Sequence, residues 1–364
     1  MYDHASMNRV FRVVWNATLG VWQAVGEIGK GAGKGTSQTR KNRAKKAALA
    51  LTFFFSSGQL YAAALPQGGV ISSGSGSIVQ QGTNTLNITQ NSNKMAIDWQ
   101  SFNIGKDNSV NFIQPSSSSI ALNRVTGTDV SSIQGAINAN GQVFLINPNG
   151  VVFSTTAQVN VGGLVASTRN LTNEQFNAGK FRFDGTTSNA IINQGNIVAK
   201  DGGYVVMIAA KIENSGKITA NQGTVGLVAG NLVTVDMGGP VKIKVEQRAV
   251  DALIENGGAI QADGGHILLT AKSAGDLAAS VINNKGELRA RSLADLMGQV
   301  DVVAEDGSVT HSGTIDVSNN VGKAGQVVVT AKEVSLTDTA QINANGKSGG
   351  GTVLVGGDWQ GSGD

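Results

Sequence analysis

The sequence predicts an all-β protein: a single-stranded right-handed parallel β-helix with an N-terminal cap, preceded by a helical or disordered signal region. Of the 364 residues, 49 are Gly and four are Pro. Many Gly together with frequent Val, Ile, Asn and Thr are typical of short strands joined by tight turns. Two further observations support the prediction, a short motif that repeats along the second half of the chain and a separate leader at its start.

The repeated motif has the form I-x-N-x-G-x-I and occurs from residue 190 onward, with spacings of 21, 42, 28 and 27 residues. The Asn and Gly of its copies are Asn193 and Gly195, Asn214 and Gly216, Asn256 and Gly258, Asn284 and Gly286, and in a weaker copy His311 and Gly313. A unit this short cannot bury its apolar face alone, so copies must stack and share a core, with Asn side chains able to stack along the axis. A β-sandwich would instead show antiparallel hairpin signals and no fixed period.

Strands that begin with Gly lie between the copies, at Gly203, Gly223, Gly265, Gly298, Gly325 and Gly351. Each unit thus contains short strands and a Gly or Asn turn, and each new coil can dock on the last through mostly local contacts. Because a solenoid end exposes strand edges and core, we expect residues 65 to about 90 to form a cap. Residues 356–364 contain no closing element, so we expect the natural protein to be longer.

The charge distribution argues against nucleic acid as a partner. Residues 1–64 contain nine Lys and Arg against Asp3 and Glu27, whereas the remaining 300 residues have a net charge of −4. The basic charge therefore belongs to the leader, and no basic patch follows it. The chain contains no Cys, which excludes a disulfide framework, a thiol nucleophile and Cys-based zinc sites.

The leader ends in the three parts of a secretory signal peptide. Residues 41–46 are basic, residues 47–55 are uncharged and mostly apolar, and an Ala-x-Ala end follows at Ala62 and Ala64. We place cleavage after Ala64. The alternative is a membrane anchor, but the apolar run is well short of the roughly 20 residues needed to span a bilayer.

An extension of about 40 residues precedes this signal. It has a second apolar and aromatic stretch that includes Asn8, Arg9, Trp15, Asn16 and Trp22. These residues resemble the extended signal peptide region of very large Gram-negative exoproteins, which implies export through the Sec translocon and makes Met7 the expected start. The alternative is an amphipathic helix that contacts the membrane.

Residues 95–166 contain the most specific motifs. They include Met95-Ala96-Ile97-Asp98-Trp99, Ala121-Leu122-Asn123-Arg124-Val125 and Gln142-Val143-Phe144-Leu145-Ile146-Asn147-Pro148-Asn149-Gly150. In this order they resemble the haemagglutination-activity, or two-partner secretion, domain of filamentous haemagglutinin-like exoproteins. The resemblance implies three regions: an extended signal peptide at 1–64 (extension 7–40, Sec signal 41–64), a secretion domain at 65–300 and further coils at 301–364.

Asn147, Pro148, Asn149 and Gly150 predict an exposed turn, since Pro presets φ and Asn and Gly tolerate positive φ. The resemblance implies that this turn, with Asn123 and Arg124, is recognised by a partner transporter, an outer-membrane β-barrel. The alternative is that the turn only reverses the chain between coils. For Trp99 and the Asn123–Arg124 pair, packing in an early coil is the other interpretation. An additional Asn-Pro-Asn-Leu-like motif of some family members is absent from the sequence, which leaves the transporter subgroup open.

The implied function is N-terminal targeting of a large adhesin- or haemagglutinin-type exoprotein, secreted or held on the cell surface. Two alternatives remain: a β-helix that binds a host glycan or a host-cell surface receptor directly, and the delivery stem of a contact-dependent growth-inhibition toxin. Polysaccharide lyases and hydrolases share the fold, but the acidic residues form no tight motif, and we expect His266 and His311 to be single surface residues. We therefore expect no enzyme activity, no cofactor and no metal site.

Overall fold

The computed structural model describes residues 11–16, 21–26, 65–250, 252–272 and 281–356. The chain divides into two units, residues 1–58 and 59–364. In the first unit, strands β1 (Phe11–Asn16) and β2 (Val21–Gly26) pair antiparallel. The sequence predicted a helical or disordered segment here; strands form instead because both segments are rich in Val and aromatic residues, which favour strands. The predicted Sec signal, with Ala62 and Ala64, lies outside the described residues, as do Asn8 and Arg9.

The second unit begins with an N-terminal series of short strands. They are β3 (Val70–Ser73), β4 (Gly76–Gln81), β5 (Thr85–Gln90), β6 (Lys94–Trp99), β7 (Ser109–Ile113), β8 (Ile120–Val125), β9 (Ser131–Ile133), β10 (Ala136–Ala139), β11 (Gln142–Ile146), β12 (Val151–Phe153), β13 (Gln158–Val161) and β14 (Gly163–Ser167).

The middle part contains the one helix of the described residues. It comprises α1 (Asn173–Asn177), β15 (Phe181–Asp184), β16 (Ala190–Asn193), β17 (Asn196–Ala199), β18 (Tyr204–Ala209), β19 (Lys211–Asn214), β20 (Lys217–Thr219), β21 (Thr224–Ala229), β22 (Leu232–Asp236) and β23 (Lys242–Gln247).

The C-terminal part returns to a regular alternation of strands. It comprises β24 (Leu253–Asn256), β25 (Ala259–Gln261), β26 (His266–Lys272), β27 (Val281–Asn284), β28 (Glu287–Arg289), β29 (Gln299–His311), β30 (Thr314–Asp316), β31 (Gln326–Leu336), β32 (Gln341–Asn343) and β33 (Thr352–Val355).

These strands stack in parallel into three faces of a β-helix. The first face is the 11-stranded sheet β32-β30-β28-β25-β20-β17-β13-β10-β7-β5-β4, and all its pairings except β4–β5 are parallel. The second face runs from β6 through β8, β11, β14, β18, β21, β26, β29 and β31 to β33. The third face contains β9, β12, β16, β19, β24 and β27. The predicted parallel β-helix is confirmed.

The N-terminal end of the β-helix carries the expected cap, and the strands of this cap pair antiparallel. Strand β3 pairs antiparallel with β6, and β4 pairs antiparallel with β5. Strand β5 itself already pairs in parallel with β7. The cap is therefore shorter than predicted: it ends with β4, and β5 belongs to the first coil.

The Asn residues of the repeated motif form a buried ladder at the turn from the third face to the first. The side-chain amide nitrogen of each Asn donates to the side-chain oxygen of the next one, at 2.8 Å from Asn193 to Asn214 and 2.7 Å for each of the next two steps, through Asn256 to Asn284. The ladder ends where Asn284 Nδ2 meets His311 Nδ1 at 2.9 Å. Since buried amides need partners, the ladder holds the coils in register.

The Gly residues of the motif lie directly beside this ladder. A Cβ built on Gly216 would collide with the carbonyl oxygen of Gly195, and one on Gly258 with that of Gly216. The backbones of successive coils therefore approach too closely here for any side chain, which explains why Gly recurs with the period of the coil.

A second hydrophobic core lies on the outer surface of the second face. The outward-facing residues of β8, β11, β18 and β21, among them Phe144, are covered by α1 and by the antiparallel sheet β15-β22-β23. The ring of Phe144 lies 5.4 Å from that of Phe181, 6.3 Å from that of Phe176 and 6.2 Å from that of Phe183. This layer is not predicted from the sequence. It is formed by two insertions between coils, α1 with β15 and β22 with β23, which lengthen the spacing of the repeats.

Candidate functional site

Asn147 lies in a turn that follows β11, as predicted, but its side chain is fully buried rather than exposed. The backbone nitrogen of Gly150 donates to the carbonyl oxygen of Asn147 at 3.0 Å, which closes the turn. The Asn147 side-chain nitrogen donates to the Asp129 carbonyl and to the Ser131 hydroxyl, each at 2.9 Å. The prediction of an exposed Asn147 is therefore wrong, because the preceding coil supplies partners for its amide.

The other three residues of the turn are also held by neighbouring segments. Asn149 donates from its side chain to the Gly127 carbonyl oxygen at 2.9 Å and to the side-chain oxygen of Asn147 at 3.0 Å. The carbonyl oxygen of Pro148 accepts a hydrogen bond from Asn189 at 2.9 Å. Gly150 adopts φ +115°, a value that favours glycine, as the turn motif predicts. Pro148 and Asn149 are half-buried, so they are the part of the turn that solvent reaches.

Asn123 is buried in β8, and its side chain joins three strands. Its oxygen accepts a hydrogen bond from the indole nitrogen of Trp99 at 3.0 Å, and its nitrogen donates to the Phe144 carbonyl at 3.3 Å. The Trp99 ring in turn meets Phe102 edge-on, with centroids 5.5 Å apart. The aromatic packing with a buried polar partner that the sequence predicted is present, and Asn123 belongs to it.

The side chain of Arg124 points away from the inner core, towards the outer layer, which is formed by α1 and the sheet β15-β22-β23. Its guanidinium is 2.7 Å from the Asp98 carboxylate and donates to the Leu171 carbonyl at 3.0 Å and to the Asn173 side chain at 2.9 Å. Arg124 therefore fastens the start of α1 to the second face. Of the predicted Asn123–Arg124 pair, only Asn123 is buried.

The structure brings the predicted recognition residues onto neighbouring strands. In the β8–β11 register Asn123 lies opposite Leu145 and Arg124 opposite Ile146, one residue before Asn147. The loop after β8 also supplies the carbonyl groups that Asn147 and Asn149 contact. Strand pairing and this loop thus place the residues close together. Asn123, Asn147 and Gly150 are buried in the folded domain, whereas Arg124, Pro148 and Asn149 are half-buried.

Arg169, a fully buried cation just after β14, is not among the residues predicted from the sequence. Its side chain donates to the carbonyl oxygens of Thr187 at 2.7 Å and Gly230 at 2.8 Å, and to the side chain of Asn231 at 3.0 Å. Burial lowers the pKa of the Arg169 guanidinium to about 10, opposed by the charge of Asp184. An Arg in the run Ser167-Thr168-Arg169 gives no signal of burial, because its partners are 18 to 62 residues away.

Within the described residues, the two histidines and Asp263 each contact a side chain of the neighbouring coil. His266 is half-buried and contacts the Asp301 carboxylate at 2.9 Å, and His311 is buried at the end of the Asn ladder rather than at the surface, which corrects the prediction. Asp263 is ion-paired with Arg289. Within the described ranges no group of three or more metal-ligating side chains occurs. No helix in the same ranges is long and apolar enough to cross a membrane.

Two models of known protein families match the chain. A family model described as "TPS secretion domain" matches residues 62–317, and a second, described as the extended signal peptide of the type V secretion system, matches residues 7–56. The chain belongs to the two-partner secretion family. The second match confirms the family of the N-terminal extension that Asn8, Arg9, Trp15, Asn16 and Trp22 predicted. The chain is thus the secretion region of an exoprotein that crosses the outer membrane of a Gram-negative bacterium, and membership implies recognition by an outer-membrane transporter.

Two solved structures of secretion domains have the same fold as this chain. The secretion domain of HMW1 from Haemophilus influenzae superimposes with a TM-score of 0.75 at 33% identity, over 82% of this chain and 78% of that one. The filamentous haemagglutinin secretion domain, at 18% identity and a TM-score of 0.52, shares the fold over 80% of this chain and 100% of that one.

A curated "Heme/hemopexin-binding protein" of Haemophilus influenzae is 35% identical over 308 residues, which cover 80% of this chain and 34% of that protein. A second protein of the same name is 31% identical over 72% of this chain and 32% of its own length. The chain spans about a third of the length of these two relatives.

Proposed function

We propose that residues 65–300 are the part of the exoprotein that the outer-membrane transporter of the two-partner pathway reads, after export through the Sec translocon. The observation that supports this most directly is the family match over residues 62–317, together with the likeness to the HMW1 secretion domain. The matched range ends at residue 317, and we assign residues 301–364, most of which lie beyond it, to a passenger.

Within this domain, the transporter recognises the turn of Asn147, Pro148, Asn149 and Gly150 together with Asn123 and Arg124. We call these six residues the address. Asn123 and Arg124 pair with the last residues of the strand that leads into the turn, and Asn147 and Asn149 donate to the loop that follows Arg124. In the folded domain Asn123 and Asn147 are fully buried. The transporter therefore reads them while this part of the chain is still extended, when their side-chain amides are free to bond to another polypeptide.

The exoprotein is of the adhesin or haemagglutinin type, and this region is not catalytic. His266 and Asp301 make one contact, and the acidic residues Asp263 and Asp316 are both engaged by Arg side chains. Other parts of the protein would bind a host-cell surface receptor. Direct adhesion by the β-helix, or service as the stem of a growth-inhibition toxin, remains the alternative.

A matched pair of variants tests the address. Asn147→Ala and Asn256→Ala each remove a buried, hydrogen-bonded amide from the interior of the β-helix. Both should damage the folded domain to a similar degree, but only Asn147 lies in the proposed address. In a host that supplies the transporter, we expect Asn147→Ala to abolish secretion while Asn256→Ala is still secreted. Equal loss in both variants would show that Asn147 acts through the fold alone.

A further inference from the structure

The two hydrophobic cores of the β-helix do not extend over the same coils. The inner core is continuous from Leu65 to Val329. The outer core involves only the strands from β6 to β21 and ends with the layer formed by α1, β15, β22 and β23. On β26, the next strand of the second face, the outward positions His266, Leu268 and Thr270 are only half-buried and do not belong to the outer core. The first coils are therefore built differently from the later ones.

Three basic side chains of the β-helix bind the outer layer, and all three donate to backbone carbonyl groups. Lys94 on β6 donates to the Phe176 and Asn177 carbonyls at 2.9 and 3.1 Å. Arg124 on β8 donates to the start of α1, and the buried Arg169 donates to the Gly230 carbonyl of the loop before β22. Each contact ties an early strand to residues that follow it by 47 to 83 positions.

The cap depends on the same late residues. The hydroxyl of Ser73 on β3 accepts a hydrogen bond from Asn177, 104 residues further along the chain, and Ser72 accepts one from Asn173. At the other end of the layer, the backbone nitrogen of Asn231 donates to the Gln247 carbonyl at 3.0 Å. The contacts of the first strand and of the first coils are therefore complete only when the chain is available to residue 247.

From this arrangement we propose that residues 65–250 fold as one cooperative unit and that the coils from β24 onward add to it one at a time. An outer face that exposes Phe144 and Ile146 without its cover would present a large apolar patch, which disfavours a partly built N-terminal half. The later coils have no such requirement, because none of their described residues belongs to the outer core. Each is joined to the last by the inner core, by parallel strand pairing and by the Asn ladder.

For export, this means that a minimum length of chain must emerge from the cell before folding can oppose backward movement. Coil-by-coil docking, which the repeats predict for the whole chain, holds only after residue 250. Folding outside the cell therefore begins to oppose backward movement of the chain only once about 185 residues, from the cap to β23, have emerged, and each later coil then adds an equal step. This inference concerns the chain alone and holds whether or not the transporter reads the Asn147 turn.

Hydrogen exchange of the full chain tests the proposal with two cavity variants. Phe183→Ala opens the outer core, and Ile282→Ala opens the inner core of the later coils; both residues are fully buried. We expect Phe183→Ala to accelerate exchange by about tenfold or more across all strands from β6 to β21. Ile282→Ala should affect only its neighbours from β24 to β29. The proposal is overturned if Phe183→Ala affects only β15 and β22, or if the Ile282→Ala effect spreads back to β6.

Discussion

The indole nitrogen of Trp99 donates a 3.0 Å hydrogen bond to the side-chain oxygen of Asn123, and both side chains are buried between the first two coils. The Trp99 ring also lies so close to Gly69 that no Cβ fits there. One aromatic side chain therefore joins the cap, the first coil and the predicted recognition motif. The most specific sequence motif coincides with the place where the cap is fixed.

Trp99→Phe should lower the free energy of unfolding by about 1–3 kcal/mol, because the buried oxygen of Asn123 loses its donor. Urea denaturation measures this loss. In a double-mutant cycle with Asn123→Ala, we expect the two losses to be clearly less than additive, since both remove one hydrogen bond. Full additivity would mean that this hydrogen bond adds nothing to stability.

Arg169→Met should destabilise the domain by about 2–4 kcal/mol, since it leaves the carbonyl oxygens of the buried Gly230 and the half-buried Thr187 without donors. Arg169→Lys should restore little of this loss, because an ammonium group cannot reach several oxygens in the planar arrangement of a guanidinium. Denaturation of the three proteins side by side measures the effect. Wild-type stability in the Lys variant would contradict the role assigned to the guanidinium geometry.

Within the Asn ladder, the cost of a substitution should depend on position. Asn256→Ala breaks the ladder bonds to both Asn214 and Asn284. Asn193→Ala breaks one ladder bond, to Asn214, and the hydrogen bond that its side-chain oxygen accepts from the Gly195 nitrogen. We expect the first loss to exceed the second by about 1 kcal/mol, the usual net value of one hydrogen bond. Equal losses, measured by thermal or urea unfolding, would show that the amides act singly rather than as a ladder.

Asp316 should make the later coils sensitive to acid. Partial burial opposes its charged form, but hydrogen bonds from Ser318 and Arg291 outweigh this and hold the pKa of the Asp316 carboxyl below its ordinary 3.8. A depressed pKa gives stability that is complete above about pH 4 and is lost as the pH falls through the folded-state value. Wild type should therefore be more stable than Asp316→Asn at pH 5, and this difference should shrink at pH 3. A difference that does not change with pH would contradict the assignment.

The sequence predicted the β-helix because its signals are local and periodic. A Gly such as Gly258 recurs wherever neighbouring backbones approach, and an Asn such as Asn256 recurs wherever the ladder passes. The period of the coil therefore appears directly in the chain, and a solenoid follows from it without knowledge of distant contacts.

The outer core and the environment of the recognition turn could not be predicted in this way. The run Phe144-Leu145-Ile146 indicates a strand buried on both faces, but the cover of Phe144 comes from Phe176, Phe181 and Phe183, 32 to 39 positions later. The Asn147 turn has the residues of an exposed turn, and only the preceding coil, with Ser131, makes it buried. In both cases burial depends on which segments the coil brings together.

The measurement that tests the central claim most directly is export of the wild-type chain from a Gram-negative host with and without the two-partner transporter encoded beside it. The amount of folded protein in the medium and the amount retained in the periplasm are measured in both strains. We predict export only where the transporter is present, with intact chain retained or degraded in the periplasm where it is absent. Equal export in the two strains would contradict the assignment of residues 65–300 as the domain that the transporter reads.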